Sequence, residues 1–313
     1  MKVGVVTVTF NSAHVVEDFL SSLTAQSHQD YTLYVVDNAS TDGTCSWLSN
    51  HMPPGSVLLQ NAHNAGFAEA TNQGILRALA DGCDAALLIN NDVVFESNLL
   101  ERLIEGHREH GCQIAAPLMY YHQPPNKIWA AGGSLQPRLA RSLHRGSGQL
   151  DSARYASPCK ISFAPFCCVL IMRSVFEQIG LLDTRYFTYA EDTDFMYRCV
   201  KADIAAWYIP EARLWHKVSS LTIPLSPFAF HYGARNKAYF LGKHFSRSYQ
   251  TICNLLFPTY FLLRHLLGLE TRERCRLRLR AWAEGKRLVE ESRLDQAGSP
   301  SQAPPAVAPE KST

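Results

Sequence analysis

The residues best suited to chemistry in this 313-residue chain lie in short polar clusters, three of them close behind apolar runs. Asn90-Asn91-Asp92 is the sharpest. It follows the uniformly apolar Ala85–Ile89, and polar groups carried to the end of such a run must find partners or stay hydrated. A hard divalent cation, Mg2+ or Mn2+, with one or two protein carboxylates and the rest of its ligands from phosphate and water, suits that cluster; a strand-end turn with an exposed aspartate is the plainer alternative. Asp37-Asn38-Ala39-Ser40-Thr41-Asp42-Gly43 offers a carboxylate and an amide able to read a base edge while backbone N–H groups face phosphate, although an ordinary Asx-rich turn has the same composition. Asn64-Ala65-Gly66-Phe67, with Asn72 and Gly74 beyond it, leads into a helix whose N-terminus favours an anion, or is simply a helix cap. In Tyr189-Ala190-Glu191-Asp192-Thr193-Asp194, helical spacing lets Asp194 pair with Arg198 while Glu191 or Asp192 points elsewhere. Dipole complementation explains one acid in a first helical turn comfortably and three poorly. Trp215-His216 taken alone carries little weight, since a single histidine after an aromatic is more often a core or surface residue than a ligand.

The elements that must hold these residues alternate. Val3–Thr9 is β-branched and apolar, as in a strand buried on both faces of a parallel sheet, and 15–23 has helical spacing. A strand at 31–36, a short helix at 45–50, a strand at 56–59, a helix at 68–80 and a buried strand at Ala85–Ile89 continue the pattern, which predicts a doubly wound, mostly parallel α/β sheet. Asn11, Asp37-Asn38 and Asn90-Asn91-Asp92 then all fall just past the carboxyl ends of strands, where open parallel sheets bind ligands. Residues 120–158, rich in Gly, Pro and Ser, read as a loop-rich insertion over the site. A strand over 162–172, a helical turn over 175–180, a helix over Glu191–Lys201 and a last short strand at 207–209 follow. Helices are expected over 228–245, 251–269 and about 271–293. The domain division is 1–224 for the α/β domain, 225–295 for the helical region and 296–313 for a disordered tail of Pro, Ala and Ser.

Composition narrows the class. With 46% hydrophobic residues, 19% charged and a net charge of +2, the chain can build one large domain with an appendage and lacks the concentrated basic stripe of a nucleic-acid binder. Nine cysteines without a Cys-x-x-Cys pair or zinc spacing read as reduced, mostly buried thiols, which points to the cytoplasm. The opening run reads as a strand rather than a signal peptide, because its apolar stretch ends at Asn11 with no cleavage site after it.

In this order, the clusters resemble those of the family-2 inverting glycosyltransferases with the GT-A fold, in particular the bacterial rhamnosyltransferase-like branch, over residues 3–240. The resemblance implies a nucleoside site at Thr9, Asn11 and Asp37, with Asp37 bonding the base, and a second nucleotide-site turn at Asn64, Gly66 and Asn72. Asn90-Asn91-Asp92 stands where the family carries Asp-x-Asp, with Asn90 in place of the first acid and Asp92 left to hold metal. Glu191-Asp192 matches the Glu-Asp motif whose aspartate is the catalytic base, and His216 matches a metal-ligating histidine. Trp129 with Gly132-Gly133, and His231-Tyr232 with Arg235-Asn236, are looser matches, while Phe166-Cys167-Cys168 departs from the small residues usual beside the sugar pocket. The implied partners are a nucleotide-diphosphate sugar, dTDP-L-rhamnose first, and a lipid-linked or cell-surface glycan. A UDP-hexose transferase and a non-catalytic sugar-nucleotide-binding relative are the alternatives. A nucleotidyltransferase would need a basic glycine-rich loop after the first strand, and Asn11-Ser12-Ala13-His14 is not one. The apolar 251–269, followed by arginines at 272, 274, 276, 278 and 280, suits peripheral contact with the inner face of a membrane, or packing on the domain or another subunit.

Overall fold

Residues 1–218 and 226–298 are described by the computed structural model, and the first part follows the strand-and-helix alternation of the sequence. β1 (Val3–Thr9), α1 (Val16–Thr24), β2 (Tyr31–Asp37), α2 (Thr44–His51), β3 (Val57–Gln60), α3 (Phe67–Ala80) and β4 (Ala85–Ile89) form in turn. β1 lies between β2 and β4 and runs parallel to both. Its side chains alternate between two cores: Val3 and Val5 pack with Phe19 and Leu103 on one face, Val6 with Ile75 and Phe195 on the other. Because the chain leaves β1 toward β2 and later returns to β4 on its other side, the carboxyl end of β1 is the switch point of the sheet, where a crevice opens. α3 closes tightly over it. A Cβ at Gly74 would stand 2.4 Å from a Val6 methyl carbon, so only glycine permits this approach.

Residues 93–119, to which the spacing above assigns no element, form β5 (Val93–Phe95), α4 (Leu99–His110) and β6 (Ile114–Tyr121). Pro117 inside β6 disguises that strand, since proline is rare within a sheet. The expected loop insertion also holds structure: β7 (Ile128–Ala131) pairs with β6, and β8 (Gly133–Gln136) with β9 (Arg141–His144) makes a hairpin, so that 120–158 is partly sheet. β10 (Cys159–Lys160), β11 (Cys168–Met172), α5 (Arg173–Ile179), α6 (Glu191–Lys201) and β12 (Ala206–His216) complete this unit. β11 is shorter than its apolar run, and residues 162–167 become a loop at the sheet's edge. The short strand expected at 207–209 extends to His216. Its register against β6 shifts between Ile209 and Arg213, where Pro210 breaks the alternation and hides the strand's second half. The order β10-β12-β6-β11-β4-β1-β2-β3 is parallel except where β10 and β11 enter.

The chain divides into two compact units, Met1–Tyr232 and one beginning at Gly233, within α7 (Pro227–His244). In the second unit α8 (Arg247–Leu266) starts four residues before its apolar run, capped by Ser246, whose hydroxyl accepts from the Tyr249 amide. α9 (Arg272–Gly298) takes in 296–298, which the composition had given to the tail; the rest of that tail lies outside the described residues. The nine cysteines are all free thiols.

One residue expected at the nucleotide site is used inside this fold. The Asn72 amide is buried, donating through Nδ2 to the Leu182 carbonyl at 2.8 Å and accepting at Oδ1 from the Leu182 amide at 3.0 Å. It clamps α3 to the loop before Thr184. Asn72→Ala leaves both Leu182 groups without this partner, so chemical denaturation should show a loss of about 2 kcal/mol, with nucleotide affinity of the folded protein unchanged.

Candidate active site

The first wall of the crevice is built from the ends of β1 and β2. Asp37, 1% exposed, accepts from Thr9 Oγ1 at 2.7 Å and from the Ser40 amide and hydroxyl at 2.8 and 2.6 Å. Burial pushes its pKa up, but these hydrogen bonds outweigh burial and the group is held below the ordinary carboxylate value, so it stays charged. Asn11, in the left-handed region at φ 53°, accepts at Oδ1 from the Thr41 amide at 2.8 Å, while its own amide donates to Ser40 Oγ. Thr9, Asn11 and Asp37 therefore fix the 38–42 turn as one unit. Asn38 ties that turn onward, donating to the Gly66 carbonyl at 3.1 Å. Asn64 is exposed and closes its own turn by accepting from the Gly66 amide at 2.9 Å.

The second wall follows β4. The Asn90 amide donates to the Cys167 carbonyl at 2.9 Å. Asn91, 1% exposed, donates from Nδ2 to the Val8 carbonyl at 2.6 Å across the switch point, and its Oδ1 is buried with no hydrogen-bond partner among the described residues. Asp92 meets His216, with Oδ1 and Nε2 3.2 Å apart and both side chains largely buried. β12 brings them together, since His216 is in register with Val93 and the Lys217 amide donates to the Asp92 carbonyl. Burial opposes a charged imidazole here, but neighbouring Cys167 and Asp92 overcome it and raise His216 to about 10. The insertion shields the pair: Trp129 stands edge-on to His216 at 4.7 Å and to His144 at 4.6 Å. His144 is held below its ordinary value by burial and by His216. No sequence signal distinguishes His144, a lone histidine in a Gly, Ser and Arg-rich stretch.

The acids of α6 sit behind a strained approach. Phe187, Tyr189 and Ala190 all have left-handed φ, between 55° and 68°, a conformation costing about 1–3 kcal/mol per non-glycine residue. Gly66 is what lets the segment sit there. Its φ is +86°, a Cβ would come within 2.5 Å of the Phe187 ring, and the Phe67 amide donates to the Phe187 carbonyl at 2.6 Å. From α7, Tyr232 stacks on Phe187 at 5.2 Å and Phe228 meets Tyr189 at 6.2 Å. Asp194 is fully buried and pairs with Arg198 Nε at 3.0 Å and with the Tyr186 hydroxyl, as helical spacing predicts. Asp192 accepts from the Thr193 amide and hydroxyl. Burial raises it to about 6, against hydrogen bonds from Thr193 and from the Phe166 amide. Burial and the adjacent Asp192 push Glu191 up to about 8, and its Oε2 has no hydrogen-bond partner among the described residues.

One loop runs beside both groups: Phe166 packs edge-on against Phe195 of α6 at 5.5 Å, and the carbonyl of the next residue, Cys167, accepts from the Asn90 amide at 2.9 Å. Thr9, Asn11, Asp37, Asn64 and Gly66 line up along the first wall, and Asn90, Asn91, Asp92 and His216 form the second. Asn72 joins neither.

The profile of Glycosyl transferase family 2 matches residues 4–180. The N-acetylglucosaminyl-diphospho-decaprenol L-rhamnosyltransferase of Mycobacterium tuberculosis is 26% identical over 250 residues, 73% of this chain and 80% of that protein. The dTDP-rhamnosyl transferase RfbF of Shigella flexneri is 23% identical over 247 residues, 76% and 79% of the two chains. The fold is shared with the mannosyltransferase PcManGT of Pyrobaculum calidifontis, solved with GDP-Man and Mn2+, at TM-score 0.55 and 15% identity over 95% of this chain and 79% of that one.

The raised Asp192 pKa has a sign that stability measurements can read. The folded chain holds this proton more tightly than the unfolded chain, whose carboxyl titrates near 3.8, so stability falls as pH rises from about 4 to 6 and the loss persists above. Asp192→Asn should therefore stabilise the protein at pH 8 by about 1–3 kcal/mol, and the gain should vanish below pH 4 in urea melts at the two pH values.

Proposed function

Since the chain belongs to glycosyl transferase family 2, we propose that it transfers L-rhamnose from dTDP-L-rhamnose, with inversion, to a hydroxyl of a lipid-linked or cell-surface glycan. That the chain is a glycosyltransferase of the rhamnosyltransferase-like branch is the premise; donor, acceptor and residue roles are the proposal. Two relatives named as rhamnosyltransferases, one of them for a dTDP donor and one for a prenyl-diphosphate-linked acceptor, support it. An acceptor on a lipid carrier would set the reaction at the inner face of a membrane, and no helix among the described residues is long and apolar enough to cross one.

The observation that carries the reading is the buried Asp92–His216 pair behind β4, with the half-buried Asp192 opening α6. Asp192, deprotonated above pH about 6, takes the proton from the acceptor hydroxyl as that oxygen attacks the anomeric carbon from the face opposite the diphosphate. A single displacement needs no covalent enzyme intermediate. Glu191, protonated at neutral pH, leaves Asp192 as the one ionised acid of the pair. The 38–42 turn would seat the nucleoside, with Asp37 holding the turn and meeting the base, and the Asn64–Gly66 turn would border it.

Asp92 and His216 fit a divalent metal. Their facing atoms are 3.2 Å apart, near the roughly 3 Å between neighbouring ligands of an octahedral ion with bonds of about 2.1 Å. No group of three or more His, Cys, Asp or Glu that could hold an ion occurs among the described residues, so donor phosphates and water would complete the shell. Bound there, Mg2+ or Mn2+ would offset charge developing on the departing diphosphate. His216 must release its proton to ligate, which makes metal binding weaker in acid. Bulky Phe166 and Cys167 in the loop favour testing a UDP-hexose donor as the second reading.

Asp192→Asn should keep donor binding while transfer falls about a hundredfold to ten-thousandfold, and kcat/KM of the native enzyme should fall below pH about 6. Unchanged transfer would remove Asp192 from the role of base. In thermal-shift measurements with dTDP-L-rhamnose, UDP-hexoses and GDP-sugars, each with and without Mn2+, the largest rise is expected for dTDP-L-rhamnose with Mn2+; a larger rise with a UDP-hexose would select the second reading.

A further inference from the structure

The helices of the second unit carry a surface that sugar transfer does not use. Ile252, Leu255, Leu256, Leu263, Leu266 and Leu267 of α8 and the turn after it are between 51% and 78% exposed. Spacings of three, four, seven and four residues put them on one stripe, which faces solvent. The opposite side of α8 is already satisfied: Phe257 and Phe261 pack on Trp282 of α9, at 5.0 and 6.2 Å between ring centroids. No charged residue interrupts 248–263. A contiguous apolar face of this kind on a water-soluble surface marks an interaction site.

The second observation is charge. Over 264–280 six arginines face two glutamates, and one of those, Glu270, is buried between Arg264 at 3.3 Å and Arg278 at 3.1 Å. That pairing fixes the turn between α8 and α9, so that Leu266, Leu267 and Leu269 project at its tip beside Arg272. Arg272, Arg276 and Arg280 recur every four residues as an exposed row along α9. An uncharged aliphatic face followed at once by a guanidinium row is the chemistry of a helix lying in the headgroup region of an anionic bilayer. A second copy of the chain fits less well, because a two-fold contact through the leucines would bring two arginine-rich turns to one interface.

We propose that the α8–α9 hairpin docks the chain on an anionic phospholipid bilayer, with the leucine face of α8 at the acyl-chain boundary and the arginine row of α9 on the phosphates. This deepens the lipid-linked-acceptor reading and rests on it only for biological setting, since vesicle binding is measured without donor or acceptor.

The test is flotation of the full-length chain with phosphatidylglycerol/phosphatidylcholine vesicles and with phosphatidylcholine alone. The chain should float with the anionic vesicles, at least about tenfold better than with neutral ones, and less as salt rises. Leu263→Glu/Leu266→Glu/Leu267→Glu should abolish flotation with an unchanged circular-dichroism melt; should that triple variant fail to fold, Leu266→Asn alone should weaken flotation several-fold. Each of Arg272→Glu, Arg276→Glu and Arg280→Glu should weaken binding to anionic vesicles by about fivefold or more and leave the neutral vesicles unaffected. Absence of flotation, or flotation indifferent to the leucine substitutions, overturns the proposal, as does a dimer in sedimentation velocity that the leucine substitutions dissociate. Flotation by a chain that transfers no sugar supports the docking surface and counts against the transfer reading alone.

Discussion

The buried meeting of Asp92 with His216 is the constraint around which the catalytic half is arranged. A carboxylate at the end of a wholly apolar strand is costly unless a partner reaches it, and here the partner comes from 124 positions further along the chain. Delivering it requires β12 to run alongside the whole of β6, past the irregularity at Pro210, and to pair with β5 at its far end. The insertion then packs on this pair, since Trp129 stands edge-on to the His216 imidazole and His144 in turn packs on Trp129.

The acid pair on α6 is built by a different expedient. Three left-handed non-glycine residues lead into it, and their strain is held by Gly66 and Phe67 on one side and by Phe228 and Tyr232 on the other. The 64–67 turn thus supports the segment that presents Asp192. A turn that composition alone assigns to phosphate binding also sets where Asp192 stands.

The parts of this arrangement legible in the sequence are those with local signatures. Fully apolar strands such as β1 and β4, and polar clusters directly behind them, announce both sheet and site, and the spacing of Asp194 and Arg198 announces their pair. Where distant residues interrupt the pattern, legibility ends: Pro117 conceals β6, Pro210 conceals the half of β12 that carries His216, and Asn72 is committed to a backbone 110 residues away. His216 gains meaning only from the family resemblance or from coordinates, because nothing near it in sequence names Asp92 as its neighbour. Asp37 illustrates the reverse: its motif is plain, but its hydrogen bonds to Thr9 and Ser40 show a carboxylate shaping the turn.

The short loop before β11 touches two parts of the site region at once. Phe166 packs on Phe195 of the helix that carries Asp192, and the adjoining Cys167 lies beside the His216 imidazole and accepts from the Asn90 amide. Any substitution that reshapes this loop is therefore felt at once in the packing of α6 and in the backbone behind β4 that presents Asp92 to His216.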